Sequence, residues 1–490
     1  MKYIVNPQYV LRKEEGKAII MARQGYNTPA ILNVIHPLYA MMLTFFDGRE
    51  VTEIYKDISS YFSIEIEKVE RHLTPLLDND TVIHNGSSIF PPHILVPYNE
   101  NKDTKPKRIL PEYFTYEGEV IDLELSRLKA PVEIICNLTL QCVTSCVYCY
   151  ADRKGNQNKK MSLDLIKKII SEAHEMGVVR FKLMGGEVLL YPHWEAVVRL
   201  LTQYGYQPDI SIKKPLTEDE IIKWKALGAT KDPIQISLDT LIESHLINIL
   251  KVTPDYLKKI KETFILLDKH QIPYVVHTVL NRYNDSVEDM QSLYEFFKER
   301  TSLQGWMIDA AKCSMYNGLP YADYRARSEN TVLIREYIKQ INTEGVFNFK
   351  IKAPIVLWDF NKLSSADKEK IFNKRHLCSG NLCALYILPD GKVTICEELY
   401  WHPHFILGDL NHHTLQEIWD SPKAKELFYL KQSDIPQDSP CSNCEDFTSC
   451  RKYRHICWRD TILAYGKDKW YYPDMACPKA PQIPNDISMQ

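Results

Sequence analysis

The stretch that most constrains this 490-residue chain is Cys142-Val-Thr-Ser-Cys146-Val-Tyr-Cys149. An apolar, β-rich run from Val132 to Leu140 precedes it, so the three cysteines occupy the loop after a strand. Three thiolates from one loop leave a four-iron cluster one ligand short: they hold three irons, and the fourth stays open for another ligand. Zinc is the competing reading. Structural zinc takes four ligands, usually as two pairs of two, and a three-then-two spacing suits that poorly.

A second feature follows about thirty residues on. Val178 to Met184 reads as a strand running into Gly185-Gly186-Glu187, and the intervening MSLDLIKKIISEAHEMG has apolar residues at helical spacing, which gives a β-α-β unit. The two glycines are expected to let a ligand approach the backbone closely. Glu187 adds a carboxylate able to accept from an ammonium group. Taken alone, the tripeptide also reads as a tight turn with a solvated Glu.

With both features in place the chain resembles the radical S-adenosylmethionine (radical SAM) enzymes. The resemblance implies that Cys142, Cys146 and Cys149 bind a 4Fe-4S cluster whose open iron is chelated by AdoMet. Reductive cleavage of AdoMet then gives a 5′-deoxyadenosyl radical that abstracts hydrogen from an unactivated C–H. The cofactor carries that chemistry, while the protein orients it and excludes water. By motif position, Tyr148 matches the aromatic near adenine, Gly185 and Gly186 the close-approach glycines, and Glu187 the group facing the AdoMet amine.

Composition narrows the partners. With 45% hydrophobic and 25% charged residues the chain is ordinarily globular, and its formal net charge of −3 suggests neither nucleic acid nor an anionic membrane. No run of about 18 apolar residues reads as a transmembrane helix. The start, MKYIVNPQYVLRKEE, does not read as a secretory signal, so a cytoplasmic location is expected. Thirteen cysteines at close spacings then point to metal rather than to disulfides.

The α/β pattern divides into five parts: residues 1–95, 96–125, 126–345, 346–375 and 376–490. In the first, residues 9–12, Lys17 to Arg23 and Thr28 to Val34 read as strands. Helical segments follow near Pro37–Phe46, Val51–Phe62 and Glu65–Asp78. This order resembles the small winged-helix domain related to the peptide chaperone of pyrroloquinoline quinone biosynthesis. The resemblance implies recognition of a leader peptide by strand addition. A DNA-binding winged helix is the alternative, but its recognition helix would be Glu65–Asp78, which is too acidic for a major groove. Residues 96–125, rich in proline and charge, read as a linker, and 346–375 as a bridging segment.

The middle part alternates strand and helix. Strands are expected at Val132–Thr139, Val179–Met184, Pro208–Ile212, Ile234–Leu238, Tyr274–Leu280 and Trp306–Ala310. Six β-α units imply a parallel, barrel-like sheet, and the radical SAM resemblance implies a partial (β/α)6 TIM-type barrel with the cluster at its C-terminal mouth. Ser237 and Asp239, at the end of the fourth strand, match the family's contacts to the ribose and carboxylate of AdoMet; ordinary turn polar groups are the alternative. Lys213 and Lys214 also follow a strand and could face the barrel mouth; a solvated loop is the first reading for them.

From Cys378 the chain carries eight cysteines, the complement for two fully ligated 4Fe-4S clusters. Zinc ribbons compete at Cys441 and Cys444. Cys378, Gly391 and Cys396 in a C-x12-G-x4-C arrangement, followed by C-x2-C-x5-C, resemble the SPASM extension of peptide-modifying radical SAM enzymes. A hairpin is expected with Asp390-Gly391 at its turn. The gap from Cys450 to Cys457 departs from the family's spacing. By resemblance, Cys378, Cys383, Cys396 and Cys457 ligate the first auxiliary cluster, and Cys441, Cys444, Cys450 and Cys477 the second, for three clusters in all. Glu397 stands where some members hold a general base; a surface carboxylate is the alternative. His402, His404, His412 and His413 read as loop histidines, and Cys136 and Cys313 as small apolar residues.

The resemblances together imply a maturase of a ribosomally synthesised peptide. A thioether from cysteine sulfur to carbon, as in sactipeptides or ranthipeptides, is the first expectation, and a carbon–carbon cross-link the second. A zinc-stabilised peptide-binding scaffold is the non-enzyme alternative. The implied partners are a precursor peptide, bound through its leader, and a one-electron reductant such as flavodoxin or ferredoxin.

Overall fold

The computed structural model describes residues 1–23, 30–101, 108–118, 120–345, 347–354, 359–375, 377–453 and 456–484, and the chain divides into two units, Met1–Val132 and Glu133–Gln490. The first unit runs β1 (Lys2–Val5), β2 (Tyr9–Glu14), β3 (Lys17–Ala22), β4 (Leu32–Ile35), α1 (Pro37–Leu43), β5 (Asp47–Glu50), α2 (Val51–Phe62), α3 (Ile66–Leu73), β6 (Ile83–Asn85), β7 (Ser88–Phe90) and β8 (Leu95–Pro97). β3 is central in an antiparallel β2-β3-β4 sheet and is buried at all six positions. β5, β1 and β8 form a second small sheet, and β6-β7 is a hairpin in the place of a wing. α2 buries Ile54, Tyr55 and Ile58 on one face, and with Leu43, Val69 and Phe90 they form the core.

Three differences from the sequence reading stand out here. The small β5-β1-β8 sheet was not anticipated. The strand expected at Thr28–Val34 is Leu32–Ile35; Thr28 and Pro29 lie outside the described residues. The segment expected as a linker is tied to this unit: Phe114 is buried in its core, and the Lys17 ammonium donates to the carbonyls of Asp122 and Glu124 at 3.2 and 2.6 Å. Proline and charge report that most side chains of a segment are exposed; they do not reveal a single anchoring aromatic.

The second unit is built on β9 (Glu133–Thr139), whose EIICNLT is buried at six of seven positions, the pattern of a strand covered on both faces. α4 (Leu163–Glu175) crosses over from β9 to β10 (Arg180–Gly185), which pairs parallel to β9. The side chain of Ser162 caps α4 by accepting from the Leu165 N–H, and Ile166, Ile169, Ile170 and Ala173 form its buried stripe. A parallel bridge from Lys182 to Asp209 carries the sheet on to β11 (Ser211–Ile212). From there the order is β11, β12 (Ile234–Ser237), β13 (Tyr274–Leu280), β14 (Leu303–Ala310) and β15 (Lys350–Lys352), every neighbour parallel. The helices connecting β10 to β14 are α5 (Trp194–Gln203), α6 (Glu218–Ala226), α7 (Glu243–Leu250), α8 (Tyr256–Lys269) and α9 (Val287–Phe297). β9 to β14 in chain order is the expected (β/α)6 partial barrel.

The C-terminal region joins the same sheet. β16 (Ala384–Ile387) pairs parallel to β9 on the edge opposite β10, and β17 (Lys392–Thr394) and β18 (Gly408–Asp409) extend it antiparallel. The β16-β17 hairpin turns at Asp390-Gly391 as the sequence predicts, with Gly391 at φ +87°, where a side chain is strained. Among the described residues no helix is long and apolar enough to cross a membrane.

Candidate active site

The cysteine loop leaves the C-terminal end of β9 and is pinned from several directions. Ser145 and Val147 N–H groups donate to the carbonyls of Leu250 and Ile249 at 2.8 and 2.9 Å, at the end of α7. Asn317 Nδ2 donates to the Val147 carbonyl and Ser314 Oγ to the Cys149 carbonyl, both at 2.7 Å. The root of the loop is held by Gly186 N–H to Thr139 O and Glu187 N–H to Gln141 O, also 2.7 Å each. Both glycines also stand where a side chain would collide. A Cβ on Gly185 would lie 2.4 Å from Thr139 O, and one on Gly186 would lie 2.2 Å from Gln141 O. The close approach is to the backbone that carries the cysteine loop.

Glu187 is 1% exposed. Its Oε2 accepts the backbone N–H groups of Lys213 and Lys214 at 2.8 and 2.9 Å, and Oε1 that of Leu189 at 3.4 Å. Burial pushes its pKa up, and these donors pull it back. The carboxylate thus clamps the ends of β10 and β11 together.

The charged group at the mouth is one for which the sequence reading preferred solvent, with the barrel mouth as the alternative. The Lys213 ammonium donates to the Tyr148 hydroxyl at 2.8 Å and lies 3.5 Å from Asp239 Oδ2. Tyr148 donates to the same Oδ2 at 2.5 Å. Burial and Asp239 push the Tyr148 phenol well above its ordinary pKa, so it stays protonated. For Lys213 burial acts downward, but Asp239, Cys146 and Cys142 outweigh it and hold the ammonium above the ordinary lysine value. Asp239 is fully buried, and its Oδ1 accepts the Val279 N–H at 3.0 Å. It orients Tyr148 and Lys213. Ser237 ends β12 and is buried beside it in sequence. Of the two readings the sequence left for Lys213, the structure supports the barrel-mouth one; its position directly after the third barrel strand was the signal.

Phe181 and Leu183 pack under the helices, so Arg180 and Lys182 line the other face of β10. There Arg180 pairs with Glu133 at 3.1 Å, Lys182 with Asp209 at 3.9 Å, and His277 with Asp309 at 3.0 Å. Glu397 is near Lys182, Lys312 and Tyr150; burial pushes its carboxyl pKa up, against the pull of Lys182.

The cysteines gather in three groups. Cys149 lies within electrostatic reach of both Cys142 and Cys146. Cys457 has Cys396 and Cys378 as neighbours. Cys477 has Cys441, Cys450 and Cys444. Cys383 is buried directly before β16, and its carbonyl accepts the Glu133 N–H. Among the described residues no three His, Cys, Asp or Glu side chains are arranged to hold a single metal ion. Cys441, Cys444, Cys450 and Cys477 line one cavity of about 320 Å³. Four thiols around so large a space suit a multi-iron group better than one zinc. Of the loop histidines, His404 stacks on Trp470 at 3.6 Å between ring centres, and burial lowers its pKa to about 4.

Residues 136–297 match the radical SAM superfamily, and residues 378–445 match SPASM, an iron–sulfur cluster-binding domain. The chain carries a radical SAM domain followed by a SPASM domain. Its fold is similar to that of Streptococcus suis SuiB bound to S-adenosylmethionine, at 15% identity and a TM-score of 0.63, covering 97% of this chain and 99% of that one. Against SuiB bound to its precursor peptide SuiA the TM-score is 0.61, with the same identity and coverage. Within the radical SAM domain the cysteine loop, Tyr148, Lys213 and Asp239 meet at one end of the barrel. The SPASM match begins at Cys378 and includes Cys383, Cys396, Cys441 and Cys444.

Proposed function

We propose that this protein is a radical SAM maturase that forms thioether cross-links, from cysteine sulfur to carbon, in a ribosomally synthesised precursor peptide. The observation that carries the reading is the anchored Cys142/Cys146/Cys149 loop facing the Tyr148–Lys213–Asp239 group at the mouth of a barrel whose sheet also holds the SPASM hairpin. When bound, AdoMet and the cluster held by these three cysteines would supply a 5′-deoxyadenosyl radical for hydrogen abstraction, and clusters on the two C-terminal cysteine groups would supply a one-electron sink. Three 4Fe-4S clusters follow, with a flavodoxin or ferredoxin as reductant.

The chain's own residues then have separate tasks. Lys213, locked by Tyr148 and Asp239, offers a positive charge to a ligand carboxylate. Glu397, next to Cys396 and with a raised pKa, is suited to take the proton of a substrate thiol. The linkage balances as one hydrogen atom leaving carbon, one proton leaving sulfur to Glu397, and one electron leaving for the sink. Modified peptide should be lighter than its precursor by about 2 Da per link, with the linked cysteines no longer alkylated by iodoacetamide. Loss of two hydrogens with every thiol still reactive would replace this reading with a carbon–carbon cross-link.

The N-terminal unit is assigned to the leader. SuiB has been solved with its precursor peptide, and here β4 is an edge strand, the feature strand addition uses. Ile31, next to β4, and Asn33 and Ile35 within it form the hydrogen-bonded register with β3, so the N–H and C=O groups of Leu32 and Val34 face outward. Leu32→Pro removes one outward donor without breaking the β3 ladder. Leader affinity, read by fluorescence anisotropy, should fall about tenfold while AdoMet cleavage by dithionite is unchanged. Equal affinity in the two proteins would remove this strand from the binding site.

A further inference from the structure

The two C-terminal cysteine groups differ sharply in the charges around their sulfurs. Around Cys441, Cys444, Cys450 and Cys477 the donors are mostly cations. Lys479 Nζ lies 3.5 Å from Cys444 Sγ, Arg375 Nη2 lies 3.8 Å from Cys450 Sγ, and Arg451 Nη2 lies 3.9 Å from Cys441 Sγ. Cys477 receives the backbone N–H of Lys479. Every sulfur of this group therefore has a donor, and three of the donors are charged; the Ser439 hydroxyl is a further one to Cys441. The cations are held in place. Arg375 pairs with Asp474 at 2.8 Å and sits 3.9 Å over the Phe372 ring. Lys479 pairs with Asp446 at 3.2 Å. Arg451 lies over Phe447 and Trp458, and Cys441 and Cys450 are the groups that support its charge.

Around Cys378, Cys396 and Cys457 the pattern inverts. Asp460 faces both Cys378 and Cys457, and Glu398 and Glu397 face Cys396. The donors to these sulfurs are backbone N–H groups of Gly380, Glu398 and Asp460. Arg459 acts on Cys457 as well, but it is shared with Glu398 at 2.9 Å and Asp460 at 2.6 Å, and Lys182 and Lys312 act on Glu397.

We propose that Arg375, Arg451 and Lys479 make the Cys441/Cys444/Cys450/Cys477 site the more easily reduced of the two C-terminal iron–sulfur sites. The inference rests on the cluster assignment proposed above. Reduction adds a negative charge, which cations and hydrogen bonds to sulfur stabilise and carboxylates oppose. An electron arriving at the first group then runs downhill to the second: one site is oxidised by one electron and the other reduced by one.

The test is a potentiometric titration of the full-length, anaerobically reconstituted protein, followed by electron paramagnetic resonance. Cys441→Ala/Cys444→Ala assigns the second site, and its loss should remove the auxiliary signal with the more positive midpoint. Lys479→Gln should lower that midpoint alone by about 59 mV, a tenfold fall in the reduced-to-oxidised ratio at fixed potential, and Lys479→Arg should restore it. Arg451→Gln should act in the same direction. Lys479 is 52% exposed, so its variants keep the test open if Arg451→Gln does not fold. A reversed order of midpoints, or identical shifts in Lys479→Gln and Lys479→Arg, overturns the proposal. Unchanged iron content in Cys441→Ala/Cys444→Ala instead overturns the cluster assignment on which it rests.

Discussion

A chain carrying Cys142→Ala, Cys146→Ala and Cys149→Ala is expected to lose AdoMet cleavage entirely and to retain about eight of about 12 irons after anaerobic reconstitution. The reason for expecting a clean chemical loss lies in how the loop is held. Its anchors are main-chain groups: the N–H groups of Ser145 and Val147, the carbonyls of Val147 and Cys149, and the backbone bonds of Gly186 and Glu187 at its root. Within the loop the Thr144 hydroxyl touches the Cys142 and Cys146 sulfurs at 3.4 and 3.2 Å, but these anchors to the rest of the domain involve no sulfur. Replacing three thiols by methyl groups therefore leaves the loop attached, and the thermal transition should stay close to that of the parent. Iron is counted colorimetrically, and 5′-deoxyadenosine is measured after dithionite treatment. Full iron content, or continued formation of 5′-deoxyadenosine, would remove this loop from the chemistry.

Lys213→Met should have the second largest effect, and on two separate quantities. The ammonium is enclosed with a fully buried Asp239. Removing one partner of such a pair leaves a buried charge uncompensated, at a cost of about 3–5 kcal/mol. A lower melting temperature is the first readout. AdoMet affinity is the second, because Tyr148 loses the donor that fixes its hydroxyl and the mouth loses its cation. The double variant Lys213→Met/Asp239→Asn separates the two effects: with both charges gone, stability should largely return while AdoMet binding and cleavage stay impaired. If the double variant recovers both, Lys213 acts only through the fold.

Much of the barrel was legible in the sequence. Tyr274–Leu280 is observed with the expected ends, and the helix expected within MSLDLIKKIISEAHEMG is α4. These elements announce themselves through local periodicity and caps. What was not legible depends on residues far apart in the chain. A lysine pair after a strand is solvated by default; Asp239, brought in by the next strand, is what encloses Lys213. The Gly185-Gly186-Glu187 turn was found, but its work is done against Thr139, Gln141 and the backbone of Lys213 and Lys214, none of which the tripeptide can signal. α7, Glu243–Leu250, is short and was passed over, yet its last carbonyls hold the cysteine loop.

The position of β16 has a further consequence, one that concerns synthesis. β9, which leads into the radical SAM cysteines, leaves the ribosome with α4 and β10 close behind. Its opposite edge is filled only when Ala384–Ile387 emerges, after the rest of the barrel has been made. Throughout that interval the nascent chain presents an apolar strand with an open edge, a template for pairing with another chain. A translation product that stops short of residue 384 would keep that edge permanently. The SPASM hairpin is thus the seam that closes the barrel sheet, and a gene truncated between the two domains would be expected to yield aggregate instead of a smaller enzyme.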